Sequence, residues 1–159
     1  MPLALMAESF GPMLFVYKLH GQTRRYTAEF VQTDGGMNYN WGIERNGKWQ
    51  SGTFRMLPRA MADGNMMSFL QPIDGEDVTL PANETYNILS DKAFKDLKTS
   101  GKCLYNGVEF VKKGEADGLI HIAENVDGSE MWILDNADFP IVMKMKGNPL
   151  GMNWEGVRN

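Results

Sequence analysis

Two histidines, His20 and His121, and a single cysteine, Cys103, are the side chains best suited to metal or nucleophilic chemistry. Neither histidine stands in a ligand-spaced pattern such as H-E-x-x-H. A two-histidine site would need the fold to bring them together and recruit a carboxylate; ordinary strand histidines fit the local sequence better. Cys103 lies in Gly101-Lys102-Cys103-Leu104-Tyr105 and reads as a buried small hydrophobe. One cysteine excludes an intramolecular disulfide and a cysteine-cluster zinc site. No G-x-S-x-G elbow, Walker A loop or G-x-G-x-x-G fingerprint occurs. The pairs Asp63-Gly64 and Asp74-Gly75 lack the alternating oxygen ligands of a calcium loop and read as turns. Arg55 and Arg59 against Glu84 and Asp91 suit solvated surface better than a polar cleft. The expectation is therefore no catalytic residue, no metal, no cofactor and no enzyme activity.

Methionine is the unusual component, at 12 residues. Met56, Met61, Met66, Met67, Met143 and Met145 fall in or near apolar runs. Thioethers fill irregular cores and also line adaptable apolar surfaces. If they line a ligand concavity, the side chains expected to surround it are Tyr39, Trp41, Phe54, Phe69, Trp132 and Met143.

The elements that must position these residues are mostly strands. Asp-Gly or Asn-Gly pairs at 34–35, 46–47, 63–64, 74–75, 106–107, 117–118 and 127–128 supply the positive φ angles of tight turns. Between them run segments with a period of two. Met37, Tyr39, Trp41 and Ile43 alternate with Asn38, Asn40, Gly42 and Glu44. A two-residue turn at Asn46-Gly47 pairs Arg45 with Lys48, Tyr39 with Phe54 and Met37 with Met56, and sets Trp41 over Gly52. Further strands are expected over 13–20, 24–33, 65–71, 85–89, 108–112, 119–125, 130–135 and 141–146. One helix is expected over 90–100, with Ser90 as N-cap and Gly101 as the left-handed C-terminal cap; residues 58–62 suit one more helical turn. The fold class is mainly β (α+β): a curved antiparallel sheet or half-barrel of about 8–11 strands with one inserted helix.

A net charge of −4 and a pI near 5.2 argue against nucleic acid as a partner. No run is long enough for a transmembrane helix. Residues 1–7 resemble the end of a signal peptide, so 1–10 are read as an apolar tail or signal remnant and 11–159 as a single β-rich domain. Asn83-Glu84-Thr85 also fits a glycosylation sequon.

The second half carries Asp74-Gly75-Glu76, Glu84-Thr85, Tyr105-Asn106-Gly107, and a closing segment of Trp132-Ile133-Leu134-Asp135, Phe139-Pro140, Asn148-Pro149-Leu150-Gly151 and Trp154. Together, over roughly residues 37–155, these resemble uncharacterised bacterial proteins of Bacteroidetes type that are distantly similar to the LolA/LolB-like superfamily. The resemblance implies a periplasmic or cell-envelope location and a curved sheet wrapped around helices with an apolar concavity. Better-known relatives bind lipoprotein acyl chains, which implies a lipid or other apolar ligand here; no acyl-contacting residue of theirs matches a position in this chain. A second expectation is a protein–protein interaction or structural module with a filled core and no small-molecule ligand, acting through a sheet edge such as residues 151–155.

Overall fold

The computed structural model describes residues 8–157. Four long strands open it: β1 (Ser9–Leu19), β2 (Gln22–Gln32), β3 (Met37–Arg45) and β4 (Lys48–Met56). Tight turns join β1 to β2 and β3 to β4, because His20-Gly21 and Asn46-Gly47 both take positive φ. The β3–β4 register is the expected one: Arg45 opposite Lys48, Tyr39 opposite Phe54, Met37 opposite Met56 and Trp41 opposite Gly52. β1 starts earlier than expected, since Ser9 and Phe10 pair with Val31 and Phe30. The expected signal remnant at residues 1–7 lies outside the described residues.

A compact insert follows: α1 (Pro58–Asp63), β5 (Met66–Met67), β6 (Asp77–Thr79), β7 (Glu84–Thr85) and α2 (Asp91–Ser100). α2 is capped as its sequence predicts. The Ala93 N–H donates to Ser90 Oγ at 3.3 Å, and Gly101 at φ 75° donates its N–H to Leu97 O at 3.0 Å. Two expected strands shrink. The run 65–71 keeps only Met66–Met67, paired parallel with Glu84–Thr85. The run 85–89 breaks because Asn87 takes φ 56°, which leaves Ile88 with a lone bridge to Ile141.

The chain then returns through β8 (Lys102–Tyr105), β9 (Val108–Ala116), β10 (Leu119–Ala123), β11 (Glu130–Leu134), β12 (Val142–Lys146) and β13 (Met152–Val157). Eleven strands form one sheet in the order β6-β4-β3-β2-β1-β13-β12-β11-β10-β9-β8. Within this sheet every pairing is antiparallel except β4 with β6. The sheet is curved and does not close into a barrel. The first and last strands are central neighbours, with Tyr17 opposite Trp154. This overturns the expectation that residues 151–155 form an exposed edge. β13 is an interior strand, and Trp154 is buried, its indole N–H donating to Val142 O at 2.8 Å.

The insert fills most of the concave face. Tyr86 stacks on Phe54 at 4.3 Å and tilts against Tyr39 at 4.8 Å, while Leu80, Ile88, Leu89, Phe94 and Leu97 join the same core. A buried polar chain crosses it: Tyr39 bonds Tyr17 at 2.8 Å, and the Asn87 amide donates to Tyr17 Oη. Burial pushes all three tyrosines, Tyr17, Tyr39 and Tyr86, well above the usual phenol range. Among the described residues no helix is long and apolar enough to cross a membrane.

Candidate functional site

At one end of the concavity the insert does not reach the far side of the sheet, and a pocket of about 590 Å3 remains. Five separated stretches build it: Met66 to Leu70, Pro81 with Glu84, the β8–β9 hairpin with Asn106, Val108 and Phe110, the β10–β11 turn with Asp127 and Ser129, and Met145 with the 148–150 loop. Its walls are mostly apolar: Met66, Met67, Phe69, Leu70, Val108, Phe110, Met145 and Leu150. Leu70 and Leu150 are 48% and 60% exposed at the mouth, and Glu84 and Asp127 supply its carboxylates.

Each wall is pinned by polar side chains. Asn106, at φ 55° in its hairpin, accepts the Met67 N–H on Oδ1 at 2.7 Å and donates its own N–H to Asn65 O at 2.8 Å. Ser68 N–H donates to Thr85 O at 2.8 Å, and Tyr86 Oη donates to Leu70 O at 2.7 Å. Beneath, Tyr105 Oη shares a hydrogen bond with Thr85 Oγ1 at 2.8 Å and accepts the Ser90 N–H at 3.1 Å. Burial outweighs these bonds and pushes the Tyr105 phenol up to about 12. Asn148 accepts the Leu150 N–H on Oδ1 and donates to Met152 O, both within 2.9 Å.

Glu124 holds the third wall. Its carboxylate accepts the backbone N–H groups of Val126, Asp127 and Ser129 at 2.6–3.1 Å. Burial alone would raise its pKa, but the three N–H donors together with the Ser129 hydroxyl override it and hold the carboxyl below its usual range. A depressed carboxylate contributes stability above the ordinary carboxyl range and loses it as pH falls through the folded-state value. Glu124→Gln should therefore cost roughly 2 kcal/mol at neutral pH, and the gap from wild type should narrow in acid. Denaturant unfolding at both pH values checks this; a gap that stays constant would refute it.

Of the six side chains expected to surround a ligand, the pocket contains Phe69. Trp41 and Phe54 line a smaller cleft of about 230 Å3 that shares Leu70 with it. Tyr39 and Met143 are buried in the core. Trp132 is on the outer face, because its neighbours Met131 and Ile133 take the inward positions. There it stacks on His121 at 4.3 Å, beneath Lys144 and Lys146. The lining residues that sequence reasoning placed no ligand beside, such as Leu70, Val108, Phe110 and Leu150, come from loops and hairpin ends. The methionine clusters were the one signal that pointed to Met66, Met67 and Met145.

His121 bonds Glu130 at 2.8 Å, while His20 sits in the β1–β2 turn beside Gly151, with β11, β12 and β13 between the two histidines. Among the described residues no group of three His, Cys, Asp or Glu side chains is placed to hold a metal ion. Cys103 is buried, and burial pushes its thiol up to about 12, so it is a packing residue.

No family model, no curated protein and no solved structure matches the chain.

Proposed function

We propose that this protein binds an apolar ligand, such as a lipid acyl chain, in the pocket at the end of the curved sheet. We also propose that it does so in the periplasm or cell envelope, as its resemblance to LolA/LolB-like proteins implies. One observation carries the binding reading. A pocket of about 590 Å3 has apolar walls, three methionines and exposed leucines at its mouth. That volume falls in the ordinary range for small-molecule sites. Burying ten methylenes of a chain would contribute roughly 8 kcal/mol, which corresponds to about micromolar affinity before the cost of association is subtracted. The pinned walls favour a preformed site, and the methionines allow chains of different shape.

The filled concavity favours a second reading, a module whose exposed leucines meet a protein partner. Titration with a fluorescent long-chain fatty acid separates the two. Saturable binding is expected, weakened at least tenfold in Leu70→Glu combined with Leu150→Glu, since a carboxylate at the mouth opposes chain entry. Both residues are exposed, so folding should be retained. Absence of saturable binding by the folded wild-type protein would reject the ligand reading and leave the partner reading.

A further inference from the structure

A second cavity of about 590 Å3 lies at the turn end of β2 and β3, and it is polar. The β2–β3 ladder stops at Thr27 opposite Gly42. Beyond that point each strand stays paired only with its other neighbour: β2 with β1 down to Gln22, and β3 with β4 out to Arg45. The two hairpins thus part like a fork. The N–H and C=O groups that would have continued the ladder between residues 22–26 and 43–45 face the gap. Arg24, Arg25 and Arg45 line it, with Glu44 as its one carboxylate and Ile43 among its walls. Among the described residues none of the three arginines makes an ion pair, and their one side-chain hydrogen bond runs from Arg24 to Gln22 at 3.2 Å. A chain of net charge −4 therefore sets three guanidinium groups against one carboxylate beside two free strand edges.

We infer that this fork is a docking groove for an extended acidic segment of a partner protein. Free strand edges bind an extended backbone by continuing the ladder, and guanidinium groups select carboxylates on its side chains. Neither feature alone specifies such a partner, but here they share one gap. Trp49, 62% exposed, lies across Gly42 where the ladder ends, and a Cβ on Gly42 would run into its indole.

Fluorescence anisotropy with a short labelled peptide of alternating Glu and Val tests this on the whole protein. The comparison ligands are the same peptide with alternate backbone amides methylated, and heparin as a polyanion without a peptide backbone. Saturable binding of the unmodified peptide is expected, at least tenfold weaker for Arg25→Ala combined with Arg45→Ala, and lost on methylation. Both arginines are exposed, so the double variant should keep the wild-type unfolding midpoint. Failure of the peptide to bind would overturn the inference. So would equal binding of the methylated peptide, or heparin binding as tight as the peptide's, since either reduces the groove to an unselective positive surface. The pocket reading is independent of each outcome.

Discussion

Replacing Tyr86 by alanine should lower the unfolding free energy by about 3–5 kcal/mol, the range for deleting a fully buried aromatic side chain. Tyr86 is where the insert grips the sheet. Its ring stacks nearly parallel on Phe54 and packs on Tyr39, and its hydroxyl donates to Leu70 O. Each aromatic pair adds to the simple area term, and partial collapse around the hole will recover only some of the loss. For a chain of this size the midpoint of thermal unfolding should fall by roughly 6–20 °C. Tyr86→Phe separates packing from hydrogen bonding. It keeps both ring contacts and should cost about 1 kcal/mol. Because Leu70 stands at the mouth of the pocket, the phenylalanine variant should also loosen that mouth and weaken fatty-acid binding more than it lowers stability. Thermal melts of the two variants beside wild type check the prediction; an alanine variant as stable as the phenylalanine variant would mean the insert is not held through this ring.

Trp154→Ala should cost a similar 3–5 kcal/mol. The indole lies between Tyr17 at 5.7 Å and Phe69 at 6.3 Å, and its N–H caps Val142 O across the β12–β13 seam. That seam is short, with Lys144 opposite Glu155 and Met145 opposite Trp154. Removing the indole deletes packing on both sides and takes a partner from a buried carbonyl. It also removes the support behind Phe69, so the pocket should widen and lose affinity for a chain. A surface role for Trp154 would give the opposite result, with stability near wild type. Denaturant midpoints decide between them, and an unchanged midpoint would contradict the interior placement of β13.

The same residue shows how far local sequence reaches. Much of what neighbours in the chain set was legible, though not the left-handed turn of Asn87 that breaks the 85–89 run. Asn46-Gly47 determines the β3–β4 hairpin because a residue tolerant of positive φ followed by glycine closes a two-residue loop whose twist matches that of the strands. The period of two then fixes which side chains face Phe54 and Met56. α2 was legible for the same reason: Ser90 and Gly101 satisfy its end groups within one turn. The mainly β class and the inserted helix followed from these short-range rules.

What neighbours do not set was decided by the tertiary structure. β1 meets β13 across almost the whole chain, with no turn between them to announce the pairing, so β13 read as an edge. β8 is a four-residue strand next to a helix and carries too short an alternation to be seen. Trp132 was expected to line the ligand concavity. On β11, however, one face must take Met131 and Ile133 or Trp132, and the two inward residues bury more apolar surface than one. The pocket was least legible of all, because its walls come from five stretches far apart in the chain. The sequence by itself determined turn chemistry, alternation and helix capping, since these depend on backbone angles and on side chains a few residues apart. Which strands became central, which face Trp132 took and where the insert left space depended on contacts between distant segments. Only burial in the assembled fold selects those.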